Sequence, residues 1–223
     1  LSNSGALNLV FTAREFQPAA DSFDESYKFV GPLIGSRPNP GDLPLESLSQ
    51  HPIIYISLGT INNTNVAFYQ ACIAALRDHP GQVVLSAKTE IRAAIGSFPP
   101  NFIVRPYVAQ LEGLPKVDLF ITHGGMNSVQ EGLMAGVPLL VVPQQQEQAI
   151  VAAQVAKHGA GIVLAGSLSG NFSPELIREA VQKILSTRPA YQESAHRLGE
   201  TFRAAGGAKR AVAEIERYLK PSP

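Results

Sequence analysis

Several things are missing from this chain, and each absence narrows what it can do. Charge of one sign is missing: eighteen Lys and Arg balance eighteen Asp and Glu in 223 residues. No broad positive field exists to gather DNA, RNA or an anionic membrane, so any bound anion must be held by local groups. Cysteine is nearly missing. Cys72 stands alone in "VAFYQACIAALRDH", among alanine and leucine, so no disulfide forms within the chain. A lone cysteine in such company reads as a small buried hydrophobe, and the expected compartment is reducing and cytoplasmic. No run approaches eighteen uninterrupted apolar residues, so no membrane span is expected. Internal repeats and low-complexity tracts are absent as well. The first residue is Leu1, and no basic-then-apolar leader follows it; the expectation is a piece of a longer protein.

What remains describes an ordered α/β chain. Hydrophobic residues make up 45% and charged residues 16% of the sequence, within the globular range. The length suits one α/β domain with appended structure. Two short apolar runs, Leu7 to Phe11 and Tyr27 to Val30, come first. Prolines and glycines then accumulate in "GPLIGSRPNPGDLPLESLSQHP", which reads as a linker. We therefore divide the chain into an N-terminal segment and linker, 1–51, and a Rossmann-like domain with C-terminal helices, 52–223.

From Ile53 onward apolar runs alternate with helical periodicity. The expected strands are Ile53 to Leu58, Val83 to Ala87, Ile103 to Val108, Leu119 to Thr122, Leu139 to Val142 and Ile162 to Leu164. Helices are expected near Val66 to Asp78, Glu90 to Ile95, Asn127 to Met134 and Glu147 to His158. Strands apolar throughout, separated by helices, predict a doubly wound parallel sheet covered on both faces. Ser173 as N-cap and Pro174 at N1 start a further helix, and Gly206 with Gly207 should break the last one in two.

In such a sheet ligands bind beyond the carboxyl ends of the strands, where three polar loops fall. In "SLGT", Gly59 allows a sharp turn and the Thr60 hydroxyl can donate to a phosphate oxygen; equally, Gly-Thr after a strand is ordinary punctuation. In "HGGMNS", Gly124 and Gly125 clear the mouth of the next helix, whose free N–H groups and positive dipole end can face an anion. His123, Asn127 and Ser128 would add donors. Ser128 and Glu131 also have the S-x-x-E spacing of a capping box, which could serve only to start the helix. In "PQQQEQ", five consecutive amide or carboxylate side chains would suit a polyhydroxylated ligand, though solvent would satisfy them too.

Taken together the motifs have a recognisable order. "YVAQ", "HGGMNSVQE", "GVP" and "PQQQEQ" follow the pattern W-x-P-Q, H-x-G-x-N-S-x-x-E, G-V-P and P-x-x-x-D-Q. The chain thus resembles the C-terminal half of the family 1 GT-B glycosyltransferases, and "LVFTAREFQP" with "FVGPLIG" is similar to their bacterial macrolide branch. The resemblance implies a UDP-glucose-like donor and a small hydroxylated acceptor such as a macrolide. Tyr107 would stack on the base, with the backbone of Val108 at the uracil edge. Gln110 and Glu131 would meet the ribose, and His123, Gly125, Asn127 and Ser128 the diphosphate. Met126 would lie near the sugar, and Glu147 and Gln148 would read hexose hydroxyls. Tyr107 replaces the family's tryptophan, Ala109 its proline and Glu147 its aspartate.

The family's acceptor pocket and general base belong to an N-terminal domain, and nothing before Gly31 is long enough to be one. His51, His79, His158 and His196 are not assigned as that base. The resemblance implies hexosyl transfer by the complete enzyme, with this chain alone inactive; no cofactor and no metal are expected. An acceptor domain or subunit is the expected partner. Three alternatives stand beside this: one subunit of a two-chain enzyme, a non-catalytic sugar-nucleotide module, and a nucleotide-sugar epimerase. A dinucleotide oxidoreductase is disfavoured, because the first strand ends in "SLGT" rather than G-x-G-x-x-G.

Overall fold

The computed structural model describes residues 7–35, 45–59 and 64–220. Two short strands come first, β1 (Asn8–Val10) and β2 (Tyr27–Phe29), paired in parallel as a separate two-stranded sheet. The main sheet follows, in the chain order β3 (Ile54–Ser57), α1 (Val66–Leu76), β4 (Val83–Ser86), α2 (Thr89–Ile95) and β5 (Phe102–Arg105). Next come α3 (Gln110–Gly113), β6 (Leu119–Thr122), α4 (Met126–Met134), β7 (Leu139–Val141), α5 (Gln146–Lys157) and β8 (Gly161–Val163). Three helices close the chain: α6 (Pro174–Ser186), α7 (Arg188–Ala204) and α8 (Gly207–Leu219).

All six main strands are parallel, in the spatial order β5-β4-β3-β6-β7-β8. Both halves of the sheet grow outward from β3 and β6, and their strand order reverses between these two. That reversal is the doubly wound arrangement expected from the sequence. The alternation of side chains explains why each strand reads as continuously apolar. Tyr55, Val84, Phe120, Leu139 and Val141 enter one core layer, while Ile54, Ile56, Leu85, Ile121 and Leu140 enter the other. Helix α4 packs against α7 on the first face, and α1 against α6 on the second. Cys72 is fully buried in the second layer, where desolvation pushes its thiol pKa up.

Local chemistry sets most element ends. Asn65 caps α1 by accepting a hydrogen bond from the Phe68 amide at 3.1 Å. Ser173 caps α6 by accepting from the Leu176 amide, with Pro174 in the first turn. The break between α7 and α8 falls where Gly206 and Gly207 take positive φ, as the glycine pair predicts. The expected strand Ile103 to Val108 stops at Arg105, because Pro106 has no amide to continue the ladder. The short helix α3 was not expected; its four residues are too few to carry a periodic signal. The N-terminal segment is not loosely appended: Phe16 is fully buried, edge-on to Phe202 with ring centroids 5.4 Å apart.

At the amino end of the sheet, a single carboxylate ties three parts of the chain together. Asp118, 2% exposed, accepts from the Ile53 amide at 2.6 Å, bonds His51 Nδ1 at 2.6 Å and pairs with Arg188 at 2.5 Å. Removing the carboxylate leaves the buried Ile53 amide without its acceptor, while the half-exposed His51 and Arg188 side chains can turn to water. Asp118→Ala should therefore cost about 1–3 kcal/mol in urea unfolding. A cost within experimental error would show that the cluster is incidental.

Candidate functional site

The strand-order reversal opens a cleft of about 530 Å³ at the carboxyl end of the sheet. Because β3 leads toward α1 on one face and β6 into α4 on the other, the two chain segments diverge there and leave a crevice. Tyr107 and Val108 form one wall, and Asn127 and Ser128 of α4 another; Gly59 stands at the end of β3. Gln110 and Glu131 line the interior. Six of the residues expected to form a site are thus brought to one crevice from two distant stretches of sequence. Thr60 lies outside the described residues.

Glu131 shows what kind of site this is. The first helical residue of α4 is Met126, with Gly125 as N-cap, so Ser128 is the third residue of the helix. The capping-box alternative is therefore excluded: Ser128 and Glu131 both lie inside the helix, and no described side chain caps it. Glu131, 3% exposed, instead accepts a hydrogen bond from Gln110 Nε2 at 2.7 Å, and Gln110 is itself 9% exposed. Gln110 Oε1 in turn accepts from the Tyr55 hydroxyl at 3.3 Å. A buried carboxylate and amide sharing a network are costly unless fully engaged; here they line a cleft.

The glycine pair has a packing role more specific than clearing a helix mouth. Gly124 has φ +87°, and a Cβ there would lie 2.8 Å from Val141 Cγ1 and 3.2 Å from the Gln148 carbonyl. The β6–α4 turn can pack on β7 and α5 only with glycine at this position. Gly125 makes room for His123, since a Cβ on it would lie 2.5 Å from the imidazole Nε2; one on Gly59 would lie 2.8 Å from Cε1. The ring is thus held between the β3 and β6 loops, behind Gly59 and outside the cleft lining. Its Nδ1 is buried with no partner among the described residues, and burial pulls its pKa below the ordinary value. His123 is therefore neutral at pH 7 in the unliganded chain.

The third polar loop is shorter than expected. Helix α5 begins at Gln146, so Gln146, Glu147 and Gln148 are its first turn, and Glu147 suits the helix dipole there. Gln148 is buried, and its Oε1 accepts from the Gln144 amide at 2.9 Å, which closes the turn. Glu147 is exposed. Met126 packs on the core layer beneath α4. None of these three lines the cleft.

Sequence reasoning missed Tyr55, Ser57, Ser86, Lys88 and Pro106, which also line it. A usable signal existed in register: Ser86 pairs with Ser57 and Arg105, and Ser57 with Thr122. A polar residue therefore ends each of these four strands, marking the carboxyl edge as the polar rim. Tyr55 gives no such signal, because it reads as one more large residue of an apolar strand.

A parallel sheet of this order with its crevice at the reversal defines a Rossmann-like fold, and it is shared with solved glycosyltransferases. Two solved structures match it closely. The "Glycotransferase of kitacinnamycin" aligns with a TM-score of 0.85 and 34% identity, covering 96% of this chain and 55% of that one. CalG4, the calicheamicin glycosyltransferase, aligns with a TM-score of 0.83 and 33% identity, covering 99% and 54%. Residues 70–216 match the family model described as "Erythromycin biosynthesis protein CIII-like, C-terminal domain", and the chain belongs to that family. The uncharacterized UDP-glucosyltransferase YojK of Bacillus subtilis (strain 168) is 42% identical over 217 residues, 97% of this chain and 53% of that protein. The chain spans about half the length of the curated relatives it matches. Among the described residues no helix is long and apolar enough to cross a membrane.

The buried imidazole gives a pH prediction. With its folded-state pKa below the unfolded value of about 6.5, His123 takes up a proton more readily unfolded than folded. Stability should fall as pH drops from about 6.5 toward that lower value. His123→Asn should flatten this part of the urea-unfolding profile between pH 7.5 and 5.5. An unchanged slope in the variant would mean that His123 is not the titrating group.

Proposed function

We propose that the chain is the donor-binding half of an inverting glycosyltransferase that uses a UDP-activated hexose. The observation that carries this reading is the convergence of Tyr107, Gln110, Ser128 and Glu131 on one cleft at the strand reversal. Their chemistry is that of a nucleotide site: a ring for a base, and an amide with a carboxylate for ribose hydroxyls. An α-helical N-terminus that no described side chain caps supplies N–H groups for a diphosphate. The UDP-glucosyltransferase name of the Bacillus relative supports uridine as the base. On this reading His123 adds a donor to the diphosphate from the β6 loop, and the sequence motif "SLGT" assigns Thr60 to the same group. Met126, Glu147 and Gln148 are given to the sugar by the family resemblance alone, since none of them lines the cleft.

In the proposed reaction a hydroxyl of a small acceptor, such as a macrolide, attacks the anomeric carbon. The bond from that carbon to the diphosphate oxygen breaks, and its electron pair leaves with UDP. The hydroxyl proton passes to a base on the acceptor half. This chain's share is to hold the donor and to stabilise the charge that develops on the leaving diphosphate. His123, neutral when unliganded, can donate one hydrogen bond to that oxygen without requiring a counter-charge beforehand. The scheme draws on no metal or other cofactor. On this reading the acceptor half, for which the greater length of the relatives leaves room, comes from an adjoining domain or from a second chain. Without it, transfer by this chain alone should be absent.

UDP at 100 times its Kd should stabilise the chain by about 2.7 kcal/mol, raising Tm by roughly 5–10 °C. ADP and NAD should leave Tm unchanged; equal shifts for all three would remove the uridine assignment. Glu131→Gln, which preserves side-chain volume, should weaken UDP binding by roughly tenfold in calorimetry, with Tm nearly unaltered. Unchanged affinity would take Glu131 out of the site.

A further inference from the structure

Tyr55 lines the cleft, yet the scheme above gives it nothing to do. It lies within β3, 3% exposed, its ring stacked on Phe120 with centroids 4.9 Å apart and planes 14° from parallel. That stacking explains the ring and leaves the hydroxyl unexplained, since a phenylalanine would stack equally well. A buried phenol needs hydrogen-bond partners: it donates to Gln110 Oε1 at 3.3 Å, and the Ser57 and Ser86 side chains also hydrogen-bond to it. Burial, the largest influence on it, raises the phenol pKa well above its ordinary value, so the hydroxyl keeps its proton and stays a donor.

The consequence lies one residue further on. The Gln110 amide has an accepting end and a donating end, and only one orientation suits its surroundings. With Oε1 receiving the Tyr55 proton, Nε2 faces Glu131 Oε2 at 2.7 Å and Ser128 Oγ at 3.5 Å. Turned over, the amide oxygen would face the Glu131 carboxylate, whereas the Tyr55 hydroxyl, able to accept as well as donate, could serve either end of the amide. The carboxylate thus decides which way the amide faces, and Tyr55 anchors the oxygen end from the core side, so that the amide is held at both ends.

We propose that Tyr55 is a positioning residue for ribose recognition: its hydroxyl fixes Gln110, and through it Glu131, in the geometry that accepts a vicinal diol. The inference rests on the donor-site reading above. It assigns to a strand residue in the core a part in telling ribose from 2′-deoxyribose, because a site built around two hydroxyls discriminates against a ligand lacking one only while its own groups are held in place.

The test compares UDP with 2′-deoxy-UDP by calorimetry on the wild-type chain, Tyr55→Phe, Gln110→Ala and the double variant. Wild type should favour UDP by roughly tenfold or more. Tyr55→Phe keeps the ring stacked on Phe120 and should lower that preference to about two- or threefold, by weakening UDP and leaving 2′-deoxy-UDP nearly unchanged. In the Gln110→Ala background the same substitution should have no further effect on the ratio, since it acts through that amide. A preference in Tyr55→Phe equal to wild type, or a parallel loss for both nucleotides, would overturn the positioning role while the donor site stands. Should wild type itself bind neither nucleotide, or bind both equally, the ribose reading falls and this inference with it. Should Tyr55→Phe fail to fold, Gln110→Leu provides the second arm: an unchanged preference there would equally overturn the proposal.

Discussion

Everything functional in this chain depends on the reversal of strand order between β3 and β6. Six parallel strands could be stacked in one direction, with every helix connection moving the same way. Here the order β5-β4-β3-β6-β7-β8 makes the chain move outward from the centre on both sides. The neighbours β3 and β6 therefore deliver their following segments to opposite faces, and the space between is left open. The crevice is a product of connectivity, and side chains only furnish it. The demand reaches back into the turns: the loop after β6 must double over β7 and α5, and Gly124 with φ +87° makes that close approach feasible.

The furnishing is polar in a place where an apolar core would be more economical. Tyr55 and Val129 enter the same core layer, and beside them Gln110 and Glu131 are buried in a continuous hydrogen-bonded chain. Buried ionic and amide groups of this kind are weak contributors to stability compared with hydrophobic residues of similar volume. Their presence beneath a cleft, rather than in the interior proper, accords with binding chemistry. Asp118 makes the contrast. It is equally buried, but its partners His51, Ile53 and Arg188 join the linker, β3 and α7 at the amino end of the sheet, where it acts as a structural tie. The two clusters share a burial level and differ in address.

Much of this was legible in the residues themselves. Apolar runs located all six strands, with Leu119 to Thr122 correct to the residue, because strands buried on both faces leave no polar interruption to misplace. The glycine pair and His123 marked the turn, and the order of motifs from Tyr107 to Gln148 pointed to the family. The misreadings have physical causes. Ser128 and Glu131 satisfy a capping-box spacing, but a capping Ser128 would have to flank the helix, whereas Gly125 is the N-cap and Ser128 the third helical residue. The polar loop expected after Pro143 runs too far, since polar residues on the first turn of a helix have no apolar periodicity, but the helix expected from Glu147 to His158 lies within one residue of α5. Tyr55 was invisible because its ring satisfies the strand pattern while its hydroxyl acts on a partner 55 residues away; only the tertiary structure brings the two together.

The central claim, that the strand reversal holds a nucleotide and holds it in one place, is tested most directly by amide NMR during a UDP titration of the isotopically labelled chain. The account predicts perturbations centred on residues 57–59, 107–110 and 124–131, with the surface groove around Phe23, Tyr27 and Arg210 undisturbed. Perturbations centred on that groove, or none at saturating UDP, would contradict it.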